Sequence, residues 1–146
     1  MNMQYGKDGM ALTEGFESCR LMPYQDGGGV WTDGWGNTHG VVPGLRITQD
    51  KADADLLANV SDAVDAVNDH VTVDLTQHQF DALVDFAFNC GCNAFKESTL
   101  LKKLNAGDYE GAHDELVRWC KDNGKVVAGL LRRRRAEQEL FDQADA

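Results

Sequence analysis

Apolar residues recur at three- and four-residue intervals over most of this chain, but not over its first forty-odd positions. Residues 9–18 predict a short helix, with Met10, Leu12 and Phe16 among its apolar positions. Pro23, Tyr24, Gly27-Gly28-Gly29, Val30-Trp31-Thr32 and glycines at 34, 36, 40 and 44 follow. Glycine at this density breaks helices and permits tight turns. The β-branched and aromatic residues between those turns predict a small hairpin sheet. Beyond Thr48 the period turns helical, through Ala52, Leu56, Val60, Val64 and Val67. Thr48 is the expected N-cap of that helix, with Asp50 in its first turn. Thr76 and Gln79 form a capping-box pattern ahead of Phe80, Leu83, Val84, Ala87 and Phe88, a core-facing stripe. A helix near 98–105 should stop at Gly107, and Asp108 should cap the next, which carries Tyr109, Ala112, Leu116 and Trp119. Asp122-Asn123-Gly124 reads as a turn, and a last helix runs from about Leu130 to Gln143.

One short helix, a glycine-rich sheet and about five helices predict an α+β fold, not alternating α/β. The 146 residues suffice for one domain with a real core. The expected organisation is a single domain over 1–146, with a β lobe at about 18–46 and a helical lobe made of 1–17 and 47–146. A small sheet lobe beside a helical one predicts a cleft, and such junctions are favoured ligand sites.

The net charge of −10 argues against nucleic-acid or anionic-membrane binding, because long-range repulsion opposes approach. The one candidate basic patch is Arg132-Arg133-Arg134-Arg135. No run of 18 apolar residues is present, and the opening residues lack the apolar core of a secretory signal. The expectation is a chain made in the cytoplasm and, if it acts outside, released by another agent. Cys19, Cys90, Cys92 and Cys120 are too few for a disulfide scaffold, and Cys90-Gly91-Cys92 lacks zinc spacing. Buried free thiols are expected; a disulfide after export is the alternative. No metal or cofactor is implied.

Candidate chemistry gathers after the first helix. Glu17 ends that helix beside Phe16, Asp26 lies nine residues on in a turn, and Thr32 stands on or near a strand. Glycoside hydrolysis needs one carboxyl group kept protonated by partial burial and a second kept ionised in a solvated place. A hydroxyl such as Thr32 can hold a water between them. Spacing alone does not separate this from a solvated Glu17 and a turn-forming Asp26, because 24 acidic residues make such pairs common.

The wider string decides more. Phe16-Glu17, Arg20-Leu21, Tyr24-Gln25-Asp26-Gly27-Gly28-Gly29-Val30-Trp31-Thr32 and Gly34-Trp35-Gly36 together resemble the phage-type, T4-lysozyme-like glycoside hydrolases. The resemblance continues through Thr76–Leu83, Phe88-Asn89-Cys90-Gly91, Ser98–Leu101, Leu104–Asp108 and Gly129-Leu130 with the arginines, and is nearest to lambdoid phage endolysins. It implies a lysozyme-like fold that hydrolyses the β-1,4 bond between N-acetylmuramic acid and N-acetylglucosamine of bacterial peptidoglycan. It also implies Glu17 as the acid, Asp26 and Thr32 as the residues that position water, and holin-dependent release; a monomer is the default expectation. A noncatalytic peptidoglycan-binding protein and a lytic transglycosylase are the rivals; retention of all three residues argues against both.

This chain departs from the family pattern at Ser18, Asp33 and Asn37. Asp33 either raises the pKa of Asp26 or points to solvent, and Asn37 cannot form the ion pair that a histidine could. Glu14, three residues before Glu17, would leave Asp26 twelve residues away and the string unaligned. Trp31, Trp35 and Trp119 are candidates for stacking on sugar, with core packing as the alternative, favoured for Trp119. Asn89 either binds an acetamido group or caps its helix. Arg133 with Glu137, and Arg135 with Glu139, have the i, i+4 spacing of a solvated face, although the resemblance implies that one arginine meets Glu17. The four histidines show no ligand spacing and are expected at the surface or in caps.

Overall fold

A computed structural model describes residues 2–145 of the chain. The helix α1 (Lys7–Phe16) leads into strands β1 (Arg20–Gln25) and β2 (Trp31–Gly34), then α2 (Gln49–His70) and α3 (Gln77–Cys90). There follow α4 (Cys92–Glu97), α5 (Thr99–Asn105), α6 (Tyr109–Glu115), a 3-10 turn (Leu116–Arg118), strands β3 (Lys121–Asp122) and β4 (Lys125–Val126), and α7 (Ala128–Asp142). Helices and strands are thus segregated along the chain, the α+β arrangement that the periodicity predicts. Thr13–Ser61 make one compact unit, and the described residues on either side of that stretch make another.

In the Thr13–Ser61 unit, β1 and β2 pair antiparallel, with Tyr24 opposite Thr32 and Gln25 opposite Trp31. The ladder is irregular between Arg20 and Tyr24, where Pro23 has no N–H to give. The N–H of Ile47 returns to the carbonyl of Leu21 at 2.9 Å, tying the long glycine-rich loop to β1. At Gly34, φ is +52° and an added Cβ would lie 3.2 Å from Cβ of Ala52. Glycine here lets β2 lie close against α2. Ile47, Ala52, Leu56 and Val60 are the unit's buried apolar residues. Thr48 starts α2 as expected, its hydroxyl accepting from the N–H of Lys51 at 3.1 Å.

The other unit is built around α3. Its capping box is complete: Thr76 Oγ1 accepts from the N–H of Gln79, whose side chain accepts from the N–H of Thr76. The expected apolar stripe is wider in fact, since every residue from Phe80 to Ala87 is buried. That is a central helix, enclosed on all sides, not a surface helix. Each fully buried Phe or Leu contributes about 1.5–3 kcal/mol. Ser98 and Asp108 cap α5 and α6, and Gly107 takes φ +84° after α5. A sixth helix after the sheet, α4, was not anticipated. The turn at Asn123-Gly124 proves to close a two-strand hairpin, β3–β4, with φ +51° and +77° at those residues.

The arginine run differs most from expectation. Arg132 and Arg135 are exposed, but Arg133 and Arg134 are buried. Arg133 makes a bidentate ion pair with Asp85 at 2.8 and 2.9 Å. Arg134 takes Glu137, with Nε to Oε1 at 2.7 Å and Nη2 to Oε2 at 3.0 Å. Arg133 and Arg134 of α7 therefore face inward, and only Arg132 and Arg135 of the run are exposed. All four cysteines are free thiols; Cys120 is buried and the others are half-buried. His78 and His113 do more than occupy the surface. Each lies between two carboxylates, Asp8 and Asp145 for one, Asp114 and Asp142 for the other.

Candidate active site

The residues singled out in the sequence fall into two groups, one in each unit. Glu17, Asp26, Thr32 and Trp35 belong to the Thr13–Ser61 unit; Asn89 and Trp119 line a pocket of the other.

Glu17 stands one residue past the end of α1 and closes its last turn, its N–H donating to the carbonyl of Thr13 at 2.9 Å. Thr13 is fully buried, which anchors that turn. Glu17 is half-buried, and its Oε2 lies 3.4 Å from where a Cβ on Gly36 would be. Gly36 has φ +83°. A bare backbone thus faces this carboxyl group, in a conformation that side chains disfavour.

Asp26 follows β1 directly and is exposed. Its Oδ1 accepts from the N–H groups of Gly28 and Val30, both at 2.9 Å. The N–H of Asp26 donates to the carbonyl of Val30 at 2.9 Å. Thr32 is buried on β2, and its hydroxyl donates to that same carbonyl at 3.0 Å. Asp26 and Thr32 are therefore hooked to the two ends of one peptide residue. The second carboxylate oxygen of Asp26 takes no hydrogen bond among the described residues.

Asp33 neither reaches solvent nor turns to Asp26. It is 1% exposed, and its Oδ1 accepts from the amide of Asn37 at 3.0 Å. The two residues also exchange backbone hydrogen bonds at 2.8 and 2.9 Å. Asn37 gives its amide to the carbonyl of His39 as well, and its Oδ1 accepts from Asn59 at 3.1 Å. The pair braces the loop after β2. Thr32, Asp33 and Gly34 of β2 are all buried. Trp35 donates its Nε1–H to Asp53 at 2.8 Å, and Gln49 donates to the same oxygen. Those bonds, Trp35 foremost, hold the carboxyl group of Asp53 below its ordinary range. The indole is fixed by its edge, leaving its faces as the part that can meet a ligand.

In the other unit, Asn89 lies in the last turn of α3 and does not cap it; Oδ1 accepts from Arg134 at 2.7 Å. Trp119 packs edge-on against Phe86, with ring centroids 5.4 Å apart. Core packing and pocket lining are therefore both true of Trp119.

The Phage lysozyme family profile matches residues 14–137, which include Glu17, Asp26 and Thr32. The chain belongs to the phage lysozyme family. An endolysin of Acyrthosiphon pisum secondary endosymbiont phage 1 is 43% identical over 97% of this chain and all of its own length. The muramidase domain of SpmX from Asticaccaulis excentricus superposes with a TM-score of 0.91 at 37% identity, covering 98% of this chain and 100% of that one. The endolysin from Escherichia coli O157:H7 phage FAHEc1 gives a TM-score of 0.91 at 35% identity over 97% and 95% of the two chains. As a member of this family the chain is a lysozyme-class glycoside hydrolase, and its fold is lysozyme-like.

Proposed function

We propose that this phage lysozyme is an inverting muramidase, with Glu17 protonating the leaving oxygen and Asp26 and Thr32 orienting the attacking water. The bond cleaved is the β-1,4 link between N-acetylmuramic acid and N-acetylglucosamine of peptidoglycan, and the outcome is lysis of the bacterial cell. The supporting observation is the shared anchorage of Asp26 and Thr32 on Val30. It holds an acceptor oxygen and a hydroxyl in fixed relation, as a positioned water requires. Glu17 is fixed separately, by the last turn of α1, with the Gly36 backbone beside it. An acid on one element and a water holder on another is the division of labour of an inverting glycosidase. No metal or cofactor enters this scheme. By family resemblance, the enzyme is made in the host cytoplasm and reaches the wall through a holin lesion; a monomer is the default expectation.

The test is product analysis on purified peptidoglycan. Reducing muramic acid ends in the α configuration, seen by NMR before mutarotation, are expected. Products of β configuration would overturn inversion, anhydro ends would make the enzyme a transglycosylase, and intact glycan would make it a binding protein. Glu17→Gln should lower turnover by about 10²–10⁴-fold while Glu14→Gln stays active. Loss from Glu14→Gln alone would reverse the assignment.

A further inference from the structure

Helix α1 carries Glu17 one residue past its end, and it cannot close its own start. Gly6 is its N-cap, since the Gly6 carbonyl accepts from the N–H of Met10 at 3.0 Å. A helix ordinarily satisfies its free N–H groups with the N-cap side chain and the side chain three residues on. Both positions here, Gly6 and Gly9, are glycine. Asp8, the acid of the first turn, is turned to His78 of α3 at 2.9 Å. The helix is also weak in itself. It has ten residues, two of them glycine, and isolated helices shorter than about 12–15 residues are marginal in water.

What meets that bare start is Asp81 of α3, a carboxylate that is 1% exposed and that the proposed chemistry does not use. Its Oδ1 accepts from the N–H of Gly6 at 2.9 Å. The amide of Gln77 donates to the same oxygen and to the carbonyl of Gln4, both at 2.8 Å, so one side chain holds the acid and the chain leading into α1. Oδ2 is buried and makes no hydrogen bond among the described residues. Burial pushes the carboxyl group up from its ordinary range, against the opposing pull of the Gly6 N–H, the Gln77 amide, the Gly9 N–H and the charge of His78. The glycines are what admit this acid. A Cβ at Gly6 would lie 2.7 Å from Asp81 Oδ2, and one at Gly9 would lie 2.8 Å from Asp81 Cβ and closer still to the Tyr5 ring. A carboxylate at a helix N-terminus also meets the positive end of the helix dipole. The two positions that would cap α1 from within are thus bare where an acid from another helix fills the role.

We propose that Asp81 caps α1 from α3 and is a positioning residue for Glu17, fixing where the helix starts and so where its last turn presents the acid. The inference rests on the proposed role of Glu17 for its effect on turnover, and on the start of α1 alone for the cap itself. Helix formation is cooperative, so an uncapped first turn loosens the last one, where the N–H of Glu17 donates to the carbonyl of Thr13. A displacement of about 1 Å at a reacting group can cost about 100-fold in rate.

The experiment compares Asp81→Ala, Asp81→Asn, Gly6→Ser and the double variant Gly6→Ser, Asp81→Ala with the parent. Turnover of soluble glycan strands is separated into kcat and KM, and hydrogen exchange is followed at the Glu17 amide. Asp81→Ala should lower kcat by about tenfold with little change in KM. It should speed exchange at Glu17 by about fivefold to thirtyfold. Asp81→Asn keeps one acceptor oxygen and should lose less. Gly6→Ser should be harmful in the parent, where its Cβ meets Asp81. In the Asp81→Ala background it should be helpful, because the serine hydroxyl can accept from the N–H of Gly9. The double variant should therefore recover most of the lost kcat and of the lost exchange protection. An acid that merely fills the core would give no such reversal of sign. Unchanged kcat in Asp81→Ala, no recovery in the double variant, or exchange that accelerates equally across α3 overturns the proposal. Failure of the Glu17 reading is seen separately, as activity retained by Glu17→Gln, and leaves the exchange pattern standing. Far-ultraviolet circular dichroism checks folding; if Asp81→Ala unfolds, Asp81→Asn and the double variant carry the same comparison.

Discussion

The water-holding role proposed for Asp26 requires a carboxylate that cannot rotate freely, and two backbone N–H groups restrain it on a single oxygen. That leaves its other oxygen aimed by the loop rather than by a side-chain torsion. Thr32 is restrained in the same way, through the carbonyl of Val30. Glu17 is held by the last turn of α1, and the residue facing its carboxyl group lacks a side chain. Gly36 has φ +83°, and a methyl group there would lie 3.4 Å from Glu17 Oε2. Gly36→Ala should therefore cost about 1 kcal/mol of stability through its backbone alone. It should also lower turnover by crowding the acid. Urea unfolding and a lysis assay on the same sample check both effects; a variant with unchanged midpoint and unchanged turnover contradicts this account of the site. Glu17, Asp26 and Thr32 stood out as candidates in the sequence because the string around them resembles a known family; their spacing alone did not mark them. The role of Asp33 was not legible, because its partner Asn37 is four residues away across a turn whose closure only the folded loop reveals.

Elements that carry their own end signals were the readable ones. Thr48, Thr76, Ser98 and Asp108 each cap a helix through a side-chain oxygen that accepts a backbone N–H. The short helix α4 has no such side chain, since its N-cap is Gly91, and only one of its residues, Phe95, is buried. Six residues with one apolar anchor give no period to detect. The β3–β4 hairpin has two residues per strand, all exposed, so its turn was visible and its strands were not. The completeness of the Thr76 box makes a quantitative test at this scale. Thr76→Ala should destabilise the protein by about 1 kcal/mol. Gln79→Ala should cost less once Thr76 is gone, because the two side chains brace one turn reciprocally. Thermal unfolding of the two single variants and the double variant measures the coupling, and strict additivity would show that the box acts as two unrelated contacts.

At the scale of the whole molecule, what the sequence hid is where charge is buried. Helix α7 has seven charged residues among its fifteen, and reads as a solvated helix. In the structure Arg133, Arg134 and Glu137 are buried against Asp85 of α3. Periodicity arguments count apolar residues and cannot see a core that is closed by ion pairs. Burial, and then the side chain of Asp85, push the carboxyl group of Glu137 well above its ordinary range, against the opposing pull of Arg134. The folded protein therefore holds this proton at a pH where the unfolded chain has released it. Stability from this source is full below the ordinary glutamate range, about 4.3, and declines as pH rises through the elevated folded value. Glu137→Gln retains the shape and cannot ionise, so its stability should depend less steeply on pH over that interval, and the difference from the parent should shift in the variant's favour as pH rises. Glu137→Ala should instead cost about 3–5 kcal/mol, because it leaves the buried Arg134 with Asn89 and Cys90 but without its carboxyl partner. Urea midpoints of the parent and both variants, taken from acid to neutral pH, read both effects. Parallel pH curves for the parent and Glu137→Gln would mean that Glu137 is ionised in the fold and that the two arginines, not burial, govern it.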